Sequence, residues 1–151
     1  MKRLIMVLLT VMILGSCSEK HNSTSNLELT VNKVEPLNPK AKQEVQNWTA
    51  YNKLYKNLAT VSNTNALNSL NLMPVMINNV EAMGVQIPET LQNEEVEERI
   101  QKIDSQVTDF YAKIEKTELQ ERVAQRHINE ILDAFDDLNK TINSMASKEN
   151  S

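Results

Sequence analysis

The chain of 151 residues contains few of the residues from which catalytic and metal sites are built: one cysteine, two histidines and two glycines. A single cysteine excludes a disulfide within the chain. Because Gly15 and Gly84 are the only glycines, a glycine-rich loop of the kind that binds phosphate is excluded as well. Aromatic residues make up 4% of the sequence, so the core must consist mainly of Leu, Ile, Val and Met. The length is that of one domain.

A membrane-spanning run is missing too, although the N-terminus is apolar. Lys2 and Arg3 precede an apolar segment from Leu4 to Leu14 that one threonine interrupts. A helix needs roughly 20 apolar residues to cross a bilayer, so this segment is too short. Its positive start, its length and the small residues Gly15 and Ser16 at its end are typical of a secretory signal.

The four residues Leu14-Gly15-Ser16-Cys17 resemble the lipobox of bacterial lipoproteins. In that class a signal peptidase cuts before the cysteine, which carries a diacylglycerol thioether, and the new amine is usually acylated. The resemblance implies a signal peptide over residues 1–16, lipidation of Cys17 and a place in the cell envelope. Ser18 stands where an aspartate often retains such proteins at the inner membrane, which implies the outer membrane. The alternative is an ordinary secretory signal with a chance cysteine.

The processed chain is acidic. Without Lys2 and Arg3, the 16 basic residues become 14 against 20 acidic ones, a net charge of −6. An acidic surface repels phosphate backbones and anionic lipid head groups. We therefore expect no nucleic-acid partner, and we expect the lipid on Cys17 to make the membrane contact.

Residues 17–38 are predicted to form a flexible tether, because they are polar, have a proline at residue 36 and another directly after them at residue 39, and show no helical period. The run Leu27–Val31 alternates like a short strand but has no evident partner strand. From Pro39 onward the apolar spacing becomes helical, so residues 39–151 are predicted to be a helical domain.

The first half of this domain predicts two helices. One runs from Lys40 to Val61, with apolar residues at three- and four-residue steps. The other covers about Ala66 to Met83 and contains Pro74, which a helix tolerates in its first turn but not in its interior. Either Asn71 caps a helix that starts at Leu72 and residues 66–70 form a separate turn, or the helix is kinked. Gly84 is expected to end it in the left-handed conformation.

The second half contains neither glycine nor proline, and its apolar residues alternate strictly at steps of four and three. This pattern is typical of a narrow packing seam. The two series share one register, and the two seam positions between them, Thr117 and Glu121, are polar. The two series are Val96, Ile100, Ile103, Val107, Phe110 and Ile114, and then Ala124, Ile128, Ile131, Phe135, Leu138, Ile142 and Met145.

Two structures account for this seam. One is a single helix of about 55 residues, roughly 80 Å long, which would expose the seam unless another chain covers it. The other is a hairpin that turns near Lys116 and Thr117, where Thr117 and Gln120 have the spacing of a capping box. The hairpin is favoured because it buries both series. The predicted fold is therefore all-α: an antiparallel four-helix bundle, or a long helical hairpin with two shorter helices, after the tether.

The search for chemistry yields few candidates, and no catalytic, cofactor or metal residue is predicted. His127 has Glu130 three residues on, but a second such element is missing, so we expect a solvated surface histidine. Met73, Met76 and Met83 share a helical face and could bind Cu(I), although methionine more often fills a core.

Asn93 with the glutamates of residues 94–98 is typical of a helix start. The aspartates of residues 133–137 are expected to form a solvated face.

The sequence thus predicts a non-enzymatic, lipid-anchored envelope protein whose helical domain engages another envelope component or a second copy through the seam. The alternative is a periplasmic helical protein that binds copper or a small ligand.

Overall fold

The computed structural model describes residues 34–116 and 119–148. It contains five α-helices: α1 (Pro39–Val45), α2 (Thr49–Ser62), α3 (Met73–Val85), α4 (Glu94–Lys116) and α5 (Glu121–Lys148). Two short 3₁₀ helices, Asn68–Leu72 and Glu89–Leu91, precede α3 and α4. Within the described ranges there is no strand. The predicted run Leu27–Val31 lies outside those ranges.

The predicted antiparallel bundle is confirmed. Helix α2 packs against α3, α3 against α4 and α4 against α5, and α5 closes the ring by contacting α2. The short helix α1 packs on α5. A single cluster of buried apolar side chains fills the space between the helices, with contributions from all five of them.

The hairpin, rather than a single long helix, is confirmed as well. Helix α4 ends at Lys116 and α5 begins at Glu121, so the chain reverses where the seam turns polar. The seam residues of both helices are buried, apart from Ile114 and Met145, which are partly buried. At the start of α5, the carbonyl of Gln120 accepts the backbone N–H of Ala124 at 3.1 Å. Thr117, the other half of the predicted capping box, lies outside the described residues.

The prediction of one helix from Lys40 to Val61 is wrong, because the chain breaks between α1 and α2. Trp48 has a non-helical backbone (φ −80°, ψ 81°) and places its ring in the core. The side-chain amide of Asn52 donates to three backbone carbonyls of the break, those of residues 45, 46 and 48, at 3.0 to 3.2 Å. The carbonyl of Val45 also accepts the N–H of Trp48, and that of Trp48 the N–H of Asn52, so the amide of Asn52 adds to the backbone bonds at the break.

Around Pro74 the structure follows the first alternative, a separate turn before the helix. Helix α3 begins at Met73, so Pro74 lies in its first turn and removes no helical hydrogen bond. The expected cap is wrong, because Leu72 and not Asn71 occupies the cap position, without a side-chain bond. The expected end is wrong too: α3 continues to Val85, and Gly84 does not adopt a positive φ.

The start of α4 agrees with the sequence. The side-chain oxygen of Asn93 accepts the backbone N–H of Val96 at 3.0 Å. Three glutamates occupy the first turn, where they complement the positive end of the helix dipole: Glu94, Glu95 and Glu97.

Candidate functional site

Cys17, the predicted lipidation site, lies outside the described residues, as does the whole of the lipobox-like stretch. Lipidation of Cys17 therefore stays a prediction. No helix within residues 34–116 and 119–148 is both long enough and apolar enough to cross a membrane.

The first residues that the structure describes form an extended arm, Val34–Asn38, which lies along α5. Asp136 accepts the backbone N–H of Glu35 at 2.6 Å. The amide of Asn139 donates to the backbone carbonyl of Glu35 at 2.8 Å. Asn143 accepts the N–H of Asn38 at 2.8 Å and donates to the carbonyl of residue 36 at 3.1 Å. The main chain of the arm is thus held by three side chains of one helix, which we call the clamp: Asp136, Asn139 and Asn143.

Helical spacing explains why these three side chains act together. Positions 136, 139 and 143 are three and four residues apart, so they lie on one face of α5. An asparagine amide offers both a donor and an acceptor, as an extended main chain does. Residues 34–116 and 119–148 contain no strand with which the arm could pair, and the clamp side chains supply its hydrogen-bond partners instead.

One member of the clamp, Asn139, is buried. The hydroxyl of Tyr51, on α2, donates to the side-chain oxygen of Asn139 at 2.7 Å, and both side chains are buried. Burial raises the pKa of the Tyr51 phenol well above its ordinary value, with a smaller contribution from Tyr55 and an opposing one from Asn139. Tyr51 therefore remains a hydrogen-bond donor at any physiological pH and fixes which way the Asn139 amide faces.

Beside the arm lies a half-open groove with a volume of about 450 Å³. Tyr51, which lines the groove, belongs to an aromatic stack in which its ring centroid lies 5.5 Å from that of Trp48 and 5.2 Å from that of Phe135. The lining is mainly apolar, with a few polar groups at the edge, as is usual for ligand sites. The lining residues are Pro36, Leu37, Lys42, Val45, Tyr51, Asn52, Tyr55 and Asn139.

The prediction of a solvated His127 is wrong. Its side chain is 5% exposed and lies between α4 and α5, with its ring stacked on Phe110 at a centroid distance of 5.1 Å. In the sequence His127 stands next to Ile128 and four residues before Ile131, both of the apolar seam. The charged residues near it, Arg126 and Glu130, favoured the prediction of a surface position.

The surroundings of His127 keep its ring neutral. The ammonium of Lys113 lies 3.1 Å from Nε2, so Nε2 accepts and the ring proton resides on Nδ1. Oε2 of Glu130 lies 2.9 Å from Nδ1, off the direction in which that N–H points. Burial lowers the pKa of His127, and the charge of Lys113 lowers it further, against a smaller opposing effect of Glu130. The ring thus joins α5 to α4 through its contacts with Phe110 and Lys113.

The three methionines considered for copper are core residues. Met73, Met76 and Met83 are each at most 1% exposed. In the described part of the chain, no group of three or more His, Cys, Asp or Glu side chains is arranged to hold a metal ion.

The aspartates of residues 133–137 do more than form a solvated face, which corrects the expectation for two of them. Asp136 belongs to the clamp and also pairs with Lys140 at 2.5 Å. Asp137 pairs across the hairpin with Lys102 at 2.6 Å, and this bond lowers the pKa of Asp137. Asp133 is exposed, as expected.

Comparison of the chain with models of known protein families, with curated proteins and with solved structures found no match.

Proposed function

We propose that this protein is a lipid-anchored envelope protein whose helical bundle engages another envelope component. The observation that carries the proposal is the lipobox-like Leu14-Gly15-Ser16-Cys17 after a positively charged start and an apolar segment. Two or three acyl chains on and next to Cys17 would hold the chain firmly, since each buried CH₂ contributes about 0.8 kcal/mol. Ser18 after the cysteine, where an aspartate often retains such proteins at the inner membrane, supports an anchor in the outer membrane of a host that has one.

The clamp supports a role in positioning. The chain that leads from Cys17 reaches the bundle at Glu35, and the clamp attaches it to α5 at that point. The 17 residues between Cys17 and Glu35 span at most about 60 Å when fully extended. The arm is therefore the described part of the bundle that is nearest to the proposed anchor along the chain, and this length limits how far the bundle can lie from the membrane.

The groove beside the arm is the surface that best fits a partner. The seam of α4 and α5 is buried within the chain, so self-association through it would require the bundle to open. The groove instead offers a concave, mainly apolar lining with the ammonium of Lys42 at its edge. Such a surface suits an apolar side chain or short segment of a partner that carries an acidic group close by.

Fractionation of cells tests the anchor. We expect the chain to sediment with membranes and to shift in mass by the mass of its lipid, and Cys17→Ala to abolish both. Ser18→Ala is the matched control for processing, because it leaves the lipidated residue intact. Cys17→Ala protein that is still processed before residue 17 and remains in the membrane pellet would contradict the anchor.

Crosslinking in intact envelopes tests the partner surface. A photo-crosslinking residue in place of Lys42 should yield one discrete adduct, because Lys42 lines the groove. The same residue in place of Gln101, which is exposed on α4, is the control and should yield none of that adduct. Identical adducts from both positions, or none from Lys42, would contradict a partner at the groove.

The groove also favours a second candidate function, the binding of a small ligand with an apolar body. A dye that fluoresces in apolar surroundings should then bind the purified protein, and Tyr55→Ala should weaken binding, since Tyr55 lines the groove. Copper binding is tested separately by titration with Cu(I) under reducing conditions. Replacing Met73, Met76 and Met83 with Leu would abolish any affinity that depends on them.

A further inference from the structure

The described part of the chain contains four methionines, and one of them is accessible from solvent. Met73, Met76 and Met83 lie in the core and are each at most 1% exposed. Met145, near the end of α5, is partly buried and lines a half-open cleft of about 230 Å³. A small reagent in solution can therefore reach the side chain of Met145 in the folded chain, whereas it reaches the other three when the bundle opens.

This cleft, which we call the Met145 cleft, lies where three elements meet. Its lining comes from α1, from the second 3₁₀ helix and from the last turns of α5: Glu44, Thr90, Leu91, Met145, Ala146 and Lys148. The hydroxyl of Thr90 donates to the carboxylate of Glu44 and so joins the 3₁₀ helix to α1. Leu91 and Ala146 are buried apolar residues, so the thioether has apolar neighbours on the inner side of the cleft.

The sulfur of Met145 accepts a hydrogen bond from the residue that caps α4. The side-chain amide of Asn93 donates to Sδ of Met145 at 3.1 Å and to the carbonyl of Leu91 at 3.3 Å. The side-chain oxygen of Asn93 accepts the backbone N–H of Val96 at 3.0 Å. One asparagine thus links the start of α4 to the end of α5, and the thioether is one of its partners.

We propose that Met145 is an oxidation site, at which a peroxide converts the thioether of the folded chain to the sulfoxide and loosens this link. With hydrogen peroxide, a lone pair of Sδ attacks one oxygen, and the S–O bond forms as the O–O bond breaks. The proton of the transferred oxygen passes to the second oxygen, which leaves as water. The sulfur loses two electrons, the peroxide gains them, and an apolar side chain becomes polar.

The sulfoxide cannot keep the present contact with Asn93. An oxygen that points toward the amide needs about 2.7–3.2 Å from Nδ2, which is the distance at which the sulfur itself now lies. The sulfur would therefore have to withdraw. An oxygen on the other side leaves the sulfur with a partial positive charge, so that it no longer accepts the N–H. In both cases the end of α5 moves away from Asn93 or loses its bond to it, and the link between α4 and α5 is weakened.

Peroxide treatment of the whole chain with Cys17→Ser tests the site, because this substitution removes the one thiol that would also react. Tandem mass spectrometry of proteolytic peptides follows the oxygen that each methionine gains over time in dilute hydrogen peroxide. In the folded chain Met145 should be oxidised roughly tenfold faster than the three core methionines. In urea, which exposes all four, the four rates should become similar. Equal rates in the folded chain would overturn the proposal.

Hydrogen exchange tests the effect on the link. After oxidation, the backbone amides of Val96 and Ala146 should exchange roughly threefold faster, because this end of the bundle opens more often. Met145→Leu is the matched control, since leucine fills a similar volume and takes up no oxygen. Peroxide should therefore leave exchange in that variant unchanged. Unchanged exchange in the oxidised parent, or the same acceleration in Met145→Leu, would contradict the proposal. Because the test uses unlipidated protein, failure of the proposed anchor would leave its result unchanged.

Discussion

The two halves of the bundle hold their helices by different means. Helices α4 and α5 have 23 and 28 residues and meet along one continuous seam of apolar residues. Helices α1, α2 and α3 have 7, 14 and 13 residues and are separated by breaks. Asparagine side chains form hydrogen bonds with the backbone at the ends of these short helices. At the start of α1, Asn38 accepts the N–H of Ala41 at 2.9 Å, and at the end of α2, Asn63 donates to the carbonyl of Ala59 at 2.7 Å.

The comparison shows that a regular hairpin and an irregular half depend on each other. An isolated helix shorter than about 12–15 residues is marginal in water, so α1 to α3 need a surface on which to form. Helix α5 provides it for α1 and α2, in part through Phe135, on which Tyr51 and Tyr55 pack, and α4 provides it for α3. We therefore expect contacts between the halves to matter more than contacts within the first half.

The largest expected effect comes from removing Phe135, which joins the halves. Phe135→Ala should lower the free energy of unfolding by about 3–5 kcal/mol, because it leaves a cavity beneath two aromatic rings. Urea denaturation measures this loss. Leu67→Ala, at an exposed position in the first half, is the control and should change stability by less than about 0.5 kcal/mol. Similar losses for the two variants would contradict the dependence of the first half on α5.

The next effect concerns the clamp. Asn139→Ala should cost about 1–3 kcal/mol, because it leaves the buried hydroxyl of Tyr51 without its acceptor and frees the carbonyl of Glu35. Hydrogen exchange at the amides of Glu35 and Asn38 should become faster. Asn139→Asp keeps an acceptor for Tyr51 but loses the donor to the arm, so it separates the two contributions. Unchanged exchange in Asn139→Ala would show that the arm does not depend on the clamp.

A smaller effect depends on pH and concerns His127, which lies between the two helices of the hairpin. The pKa of folded His127 lies below the ordinary value of 6.5, so the unfolded chain binds more protons between these two values. The contribution of His127 to the free energy of unfolding should therefore be fully present above pH 6.5. It should be lost as the pH is lowered through 6.5 toward the folded pKa. His127→Gln should remove this part of the pH dependence, as measured by urea denaturation at several pH values. If the free energy of unfolding depends on pH as steeply in His127→Gln as in the parent, groups other than His127 cause that dependence.

The smallest expected effect comes from replacing Gly84, a glycine within α3. Gly84 is helical, and a Cβ added to it would lie 3.6 Å from Cγ2 of Ile100, an ordinary contact. Gly84→Ala should therefore raise the free energy of unfolding by about 0.4–1 kcal/mol, mainly by restricting the unfolded chain. A loss of stability in thermal denaturation would mean that Gly84 needs a conformation that alanine cannot adopt.

The fold was predictable where one apolar period extends over many residues. From Val96 to Ile142 the steps of three and four defined both helices, and the polar interval between the two series located the turn. The break before Trp48 left no such signal, because the apolar steps continue through it. There the burial of one large ring and the bonds of Asn52 outweigh helix continuity.

The candidate site was less predictable than the fold. Asn139 and Asn143 show a helical spacing in the sequence, but nothing in it indicates that their partner is the main chain of residues 35–38, more than 100 positions away. The burial of His127 likewise depends on Phe110 and Lys113, which the hairpin brings alongside it. Contacts of this kind are set by tertiary packing and not by local pattern.

Mass spectrometry of the N-terminal peptide from the membrane fraction tests the central claim most directly. The account predicts that the mature chain begins at Cys17, that its sulfur carries a diacylglycerol and that its amine carries an acyl group. A free thiol at Cys17, or a mature chain that begins elsewhere, would contradict it.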